Sequence, residues 1–109
     1  MKLIIAIVQD EDASRLIGQL MTDGFGVTKL ATTGGFLRAG NTTLLVGVED
    51  DRLNDALGVI EKVCKSRKQF APSQPTVVGV PGSYTPCPIE VVVGGATVFV
   101  MSVDRFMKL

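Results

Sequence analysis

The strongest constraint on the fold of this 109-residue chain is that it repeats itself. Shifting by forty residues lays Val48-Glu49-Asp50 over Val8-Gln9-Asp10, and Leu44, Leu45 and Val46 over Ile4, Ile5 and Ala6. The same shift lays Leu53, Ala56, Leu57 and Ile60 over Ala13, Leu16, Ile17 and Leu20. Each copy joins an apolar run to a stripe of helical spacing. Two strand-helix-strand halves in succession give the β-α-β-β-α-β order. The expected architecture is therefore an α+β, ferredoxin-like sandwich, with both helices on one face of an antiparallel sheet.

Residues 3–8 are apolar on both sides, the pattern of a strand covered above and below. Asp10 then offers an N-cap, with Glu11 and Asp12 favourable to the dipole of the first helical turn. Ala13, Leu16, Ile17, Leu20 and Met21 form one stripe, and Gly24 is placed to end the helix. Residues 25–33 read as a second strand and residues 42–49 as a third. Gly47 lies inside the third, where a glycine marks a bulge, a close approach to the backbone, or packing under a helix. Asp50 or Asp51 caps a second helix with apolar positions Leu53, Ala56, Leu57, Ile60, Val63 and Cys64. The basic residues Lys62, Lys65, Arg67 and Lys68 crowd its end, where the helix dipole alone accounts for them.

The five prolines fall at Pro72, Pro75, Pro81, Pro86 and Pro88, inside an extended loop placed at about residues 67–90. Structureless loops of that length are commonly functional. Residues 76–80 are long enough for a short edge strand within it. After it, residues 89–93, Gly94-Gly95 and residues 96–103 read as strand, tight turn and last core strand, with a tail in which Phe106 packs back down. The whole chain, residues 1–109, fits a single domain.

Composition narrows the function. Eleven basic residues balance eleven acidic ones, so no general attraction to nucleic acid arises and any anion site must be local. The longest apolar run is far too short to span a bilayer and nothing in the sequence reads as a leader, which points to no membrane association and a cytoplasmic location. Cys64 and Cys87 show neither a metal-binding nor a disulfide-rich spacing. Cys64 reads as core, and Cys87, like Tyr84, has no neighbour in sequence to activate it. With no histidine, the usual general base and the serine triads are absent, and a metal site is not expected. Two acidic clusters, Asp10-Glu11-Asp12 and Glu49-Asp50-Asp51, are the residual candidates for acid-base or metal chemistry, but helix capping explains both. The balance favours binding over catalysis.

The candidate site is the connector between the second and third strands, residues 33–42, with the strand ends that flank it. Gly34, Gly35, Gly40 and Asn41 let the backbone approach a ligand closely or take positive φ. The hydroxyls of Thr32, Thr33, Thr42 and Thr43 converge from both sides in this reading. A planar, polar-edged molecule with some negative charge suits such a set, whereas Phe36 and Leu37 also fit a plug packed on the sheet. A further expectation concerns the sheet itself: its first and last strands have no polar face, so the side opposite the helices is an interaction surface, and the chain is a homo-oligomer that buries it.

The chain resembles the PII-like cyclic di-AMP receptor family over nearly its whole length. The resemblance rests on residues 1–10 (MKLIIAIVQD), on residues 28–38 (TKLATTGGFLR) with Gly40-Asn41-Thr42-Thr43, on Gly47-Val48-Glu49-Asp50, and on residues 94–100 (GGATVFV). It implies a homotrimer of ferredoxin-like subunits, cyclic di-AMP as ligand in clefts between neighbours, no cofactor, no catalysis, and a downstream protein partner that reads the reordered loops. It also implies ligand residues at Thr28, Gly35, Phe36, Leu37, Asn41, Gly47 and Phe99, with Lys108 near the ligand. An asparagine amide matches the adenine N6 and N7 edge, and phenylalanine rings supply stacking surface. Two positions depart from the pattern: Gly26 stands where the family often has arginine, and Lys108 where it often has glutamine. Loss of a guanidinium fork at position 26 keeps open a second ligand, ATP or another adenine nucleotide, as in the PII proteins proper.

Overall fold

Alternation along β1, Lys2–Gln9, puts Ile4, Ala6 and Val8 in the core and leaves Leu3, Ile5 and Ile7 half-buried on the other side. In the computed structural model, which describes residues 1–30, 40–71 and 89–109, β1 is followed directly by helix α1, Asp10–Thr22. This helix buries Asp12, Ala13, Leu16 and Leu20. Its stripe is narrower than expected, since Met21 is 63% exposed. The helix ends as the glycine predicts. Gly24 takes φ 89°, its N–H reaches the Met21 carbonyl at 3.0 Å, and the Phe25 N–H reaches the Leu20 carbonyl at 2.9 Å. This paired closure satisfies two helical carbonyls and tucks Phe25 into the core, so Phe25 ends the helix rather than starting the strand.

The N-termini correct the capping expectation. Gln9, not Asp10, occupies the N-cap of α1, and no side chain caps it. Asp10 is engaged elsewhere: its carboxylate accepts a 2.5 Å hydrogen bond from the Thr42 hydroxyl, and its N–H donates to the Gly40 carbonyl at 2.8 Å. The second helix is similar. A 3-10 turn at Asp50–Arg52 leads into α2, Leu53–Cys64, and neither Asp50 nor Asp51 caps it through its side chain. Asp50 instead lies 3.1 Å from the Met1 amino group, whose hydrogen bond and charge hold its carboxyl below the usual value.

Strands β2, Gly26–Leu30, and β3, Asn41–Val48, complete the central part, and β6, Ala96–Ser102, closes it on the other side of β1. The order is β2-β3-β1-β6, antiparallel throughout, with both helices packed against one face. That is the ferredoxin-like arrangement the repeat predicts. Ile4, Leu16, Leu20 and Leu44 are fully buried between the layers, each contributing about 2 kcal/mol. Cys64 is in this core with a free thiol, which burial, and after it the Asp12 carboxylate, push up to about 11. Among the described residues no helix is long and apolar enough to cross a membrane.

The expected hairpin near the C-terminus is overturned. β5, Ile89–Val93, pairs with β4, Arg67–Ala71, in a separate two-stranded sheet, and not with β6. These two strands occupy the ends of what the prolines suggested was loop from about residue 67 to 90. The Gly94-Gly95 step is the reason. The Gly94 N–H donates to the Gln9 side-chain carbonyl at 2.7 Å and the Gly95 N–H to the Cys64 carbonyl, so the pair docks on the main body and turns the chain away from β5. Gly94, at φ 82°, also admits no side chain, because a Cβ there would lie 2.8 Å from the Lys65 carbonyl oxygen.

One buried ion pair holds this hairpin to the body. Asp12, with a side chain 2% exposed, accepts from Arg67 at 2.9 and 3.4 Å, and the Arg15 guanidinium is 3.6 Å away. Asp12 lies in the first turn of α1 as expected and in addition holds Arg67, whereas Arg67 and Lys68 are not charges at the end of α2: both stand in β4, where Lys68 pairs with Glu90 at 3.2 Å. Replacing Arg67 by methionine is expected to speed amide exchange across β4 and β5 by about tenfold while β1 and α1 keep their protection. Exchange that stays unchanged in β4 and β5 would show that the pair does not anchor them.

Candidate functional site

Strand register decides which residues can meet at one surface. Side chains alternate between faces, and directly paired residues share one. Leu3 pairs with Gly47 and Met101, Ile5 with Leu45 and Phe99, Gly26 with Gly47, and Thr28 with Leu45. All of these lie on the face away from the helices, and Asn41, opposite Gln9, lies on it too. Four of the eight predicted ligand residues, Thr28, Asn41, Gly47 and Phe99, therefore share the sheet face that no described element covers. Phe99 is 53% exposed and Met101 52%.

At one end of that face is a cleft of about 720 Å³, inside the range of small-molecule sites. Its floor includes Leu3, Gly26, Thr28, Leu45 and Gly47, and its wall is the C-terminal tail with Phe106, Met107 and Lys108. Lys108 brings a positive charge to the rim. Asn41 lies elsewhere, at the far end of β3, about 20 Å from Gly47 by strand rise. There it lines a smaller recess of about 260 Å³ with Gln9, Gly94, Thr97 and their neighbours. Within a single chain, then, Thr28, Gly47 and Lys108 come together, and Asn41 does not join them.

Several readings of the connector change. Gly35, Phe36 and Leu37 lie outside the described residues, as do Thr32, Thr33, Tyr84, Cys87 and residues 76–80. Thr42 and Thr43 do not converge: Thr42 points to the helix side and serves Asp10, while the buried Thr43 hydroxyl points to the open face without a hydrogen-bond partner among the described residues. Gly47 is not a bulge, since its pairing with both Leu3 and Gly26 continues in register, and it is not packed under a helix. Of the three readings, close approach to the backbone is the one left. Phe106 does not pack down, being 65% exposed. Sequence reasoning missed Leu3, Leu45, Phe106 and Met107 as lining residues; alternation marks the first two once the register is known.

Three members of the acidic clusters are engaged with the fold. Asp10 holds Thr42, Asp12 holds Arg67, and Asp50 faces the Met1 amino group. Among the described residues no group of three or more metal-ligating side chains gathers.

Comparison with known proteins supplies the class of molecule to which this surface belongs. The chain is similar to a solved structure from Pediococcus pentosaceus ATCC 25745, a protein described as functionally unknown, at 44% identity and a TM-score of 0.77. The match covers 99% of this chain and 96% of that one. The family model described as Cyclic-di-AMP receptor matches residues 1–109, the entire chain. With that full-length match, the chain belongs to the cyclic-di-AMP receptor family.

Proposed function

We propose that this protein senses cyclic di-AMP in clefts between the subunits of a homotrimer, and that the ligand reorders the connector, residues 33–42, and the Pro-rich segment for a downstream protein partner in the cytoplasm. The observation that carries the reading is the common orientation of Thr28, Asn41, Gly47 and Phe99 toward the uncovered sheet face, in a chain that matches a receptor family end to end. Because Asn41 stands far from the Thr28–Gly47–Lys108 cleft of its own chain, a ligand that touches all of them is better served by two protomers than by one. Gly35, Phe36 and Leu37 of the connector complete the set. Two phosphate charges per ligand are met locally, by Lys108, by the Thr28 hydroxyl and by N–H groups of the glycine turn.

Three of the six acidic side chains that suggested catalysis, Asp10, Asp12 and Asp50, have structural partners, which supports binding without turnover. Gly26 favours a second reading, in which the trimer senses ATP or another adenine nucleotide, because it leaves the cleft without an arginine fork for phosphate among the described residues that line it. Isothermal titration with cyclic di-AMP, cyclic di-GMP and ATP separates the two. Heat with cyclic di-AMP, saturating at one ligand per subunit, is the expected result. Heat with ATP alone moves the assignment to the second reading, and no heat with any of the three sinks both.

A further inference from the structure

Residues 9–12, where β1 passes into α1, hold two parts of the chain that do not otherwise meet. The Gln9 side-chain carbonyl accepts from the Gly94 N–H at 2.7 Å, and the Asp12 carboxylate accepts from the Arg67 guanidinium at 2.9 Å. Between them, Asp10 accepts from the Thr42 hydroxyl and donates its N–H to the Gly40 carbonyl. Gly40 and Thr42 flank Asn41 at the start of β3. Arg67 and Gly94 stand at the base of the β4–β5 hairpin, since Arg67 opens β4 and pairs with Val93, the residue before Gly94. A single turn of chain therefore carries both feet of the hairpin and the strand end that bears Asn41.

The fit at Gly94 is tight. A Cβ there would lie 2.8 Å from the Lys65 carbonyl oxygen, and the next N–H, that of Gly95, is already bonded to the Cys64 carbonyl. The Gly94 N–H is part-buried, so without the Gln9 oxygen it loses its acceptor at the cost of an unsatisfied donor. Gln9 also stands directly opposite Asn41 in the β1–β3 ladder, and the two side chains share the recess of about 260 Å³ with Gly94. A two-stranded hairpin is marginally stable by itself, so its place is set by what holds its feet. Gln9 and Asp12 are the side chains that do so.

We infer that the β1–α1 junction couples the start of β3 to the β4–β5 hairpin, with Gln9 and Asp10 as positioning residues, so that a ligand engaging Asn41 steadies a hairpin it does not touch. The ligand's identity rests on the cyclic di-AMP reading; the coupling does not. Such coupling is reciprocal: a ligand that tightens the Gln9–Gly94 bond is itself held more tightly by the same factor.

Amide exchange followed by NMR tests the coupling first without ligand. Thr42→Val takes the hydroxyl from Asp10 and leaves every hairpin contact in place, and it is expected to speed exchange of the Gly94 amide by about fivefold while Ile60 in α2 keeps its protection. If that variant unfolds, Thr42→Ala, which leaves room for water at Asp10, is read in its place. Gln9→Met keeps the side chain's length but loses the acceptor, and is expected to speed Gly94 exchange by about tenfold, with Gln9→Glu restoring the native rate. A native rate at Gly94 in the Thr42 variant, or in Gln9→Met, overturns the inference. With ligand, cyclic di-AMP is expected to slow Gly94 exchange in the native protein by about fivefold, and to bind Gln9→Met about fivefold more weakly without that slowing. Heat of binding with unchanged Gly94 exchange in the native protein also overturns the inference. No heat overturns the ligand reading alone, and the coupling is then decided by the ligand-free exchange of the Thr42 and Gln9 variants.

Discussion

Phe99→Glu is expected to yield a folded chain that sediments as an 11.6 kDa monomer, and the native protein, on the proposed reading, is expected to sediment as a trimer. The wide difference follows from where residue 99 stands. On one chain its side chain is 53% exposed, so a glutamate there is solvated and costs the isolated fold little. It pairs with Ile5 in β1, next to the Leu3–Met101 pair, and so occupies the middle of an apolar strip on the open face of the sheet. A strip of that kind on a small domain is expected to be an association surface. In the proposed trimer, in which three copies would close on it, each introduced carboxylate would lose its water with no partner cation nearby, at several kcal/mol apiece. Sedimentation equilibrium at about 10 µM, with circular dichroism to verify the fold, reads the result. A native protein that already sediments as a monomer refutes the idea of trimer clefts. A trimeric Phe99→Glu variant shows that the subunits meet through another face.

The second large effect is on affinity. Asn41→Ala is expected to weaken cyclic di-AMP binding by about thirtyfold, within the 1–3 kcal/mol that a bidentate amide–adenine pair supplies. The amide is suited to this because one plane holds both its donor and its acceptor. It is half-buried at the start of β3, and the recess around it is open, so truncation removes a recognition group without leaving a cavity in the core. Thermal stability is therefore expected to stay near native, and titration calorimetry gives the affinity. Native affinity in this variant removes Asn41 from the site and with it the argument for a second protomer.

Much of the scaffold is legible in the residues. Leu16 and Leu20 in α1, Ala56 and Ile60 in α2, and Ile4, Ala6 and Val8 in β1 are all buried where periodicity puts them. Gly24 closes α1 as its position announces. These are effects of one or two helical turns or of a single strand, and neighbours in the chain are sufficient to produce them. The face shared by Thr28, Asn41, Gly47 and Phe99 is half-legible: alternation assigns each to one side of its own strand, but only the register aligns the four strands' sides with one another.

The failures have a common origin. Asp10 and Asp50 have the right chemistry for caps, yet they stand at the first residue of α1 and in the turn before α2, and Thr42 and the Met1 amino group take their carboxylates. Arg67 looks like a charge at a helix end until Asp12, 55 residues earlier, is found beside it. The Gly94-Gly95 pair looks like a hairpin turn until Gln9, 85 residues earlier, is found accepting from it. A polar group's choice among partners of equal chemistry depends on which of them the folded chain brings within 3 Å, and distant segments enter that competition only after the core has formed. Local pattern thus suffices for the helices, the strands and the half-to-half repeat, whereas the separate hairpin, the buried ion pair and the cleft floored by Gly26 and Gly47 exist only because long-range pairing places them.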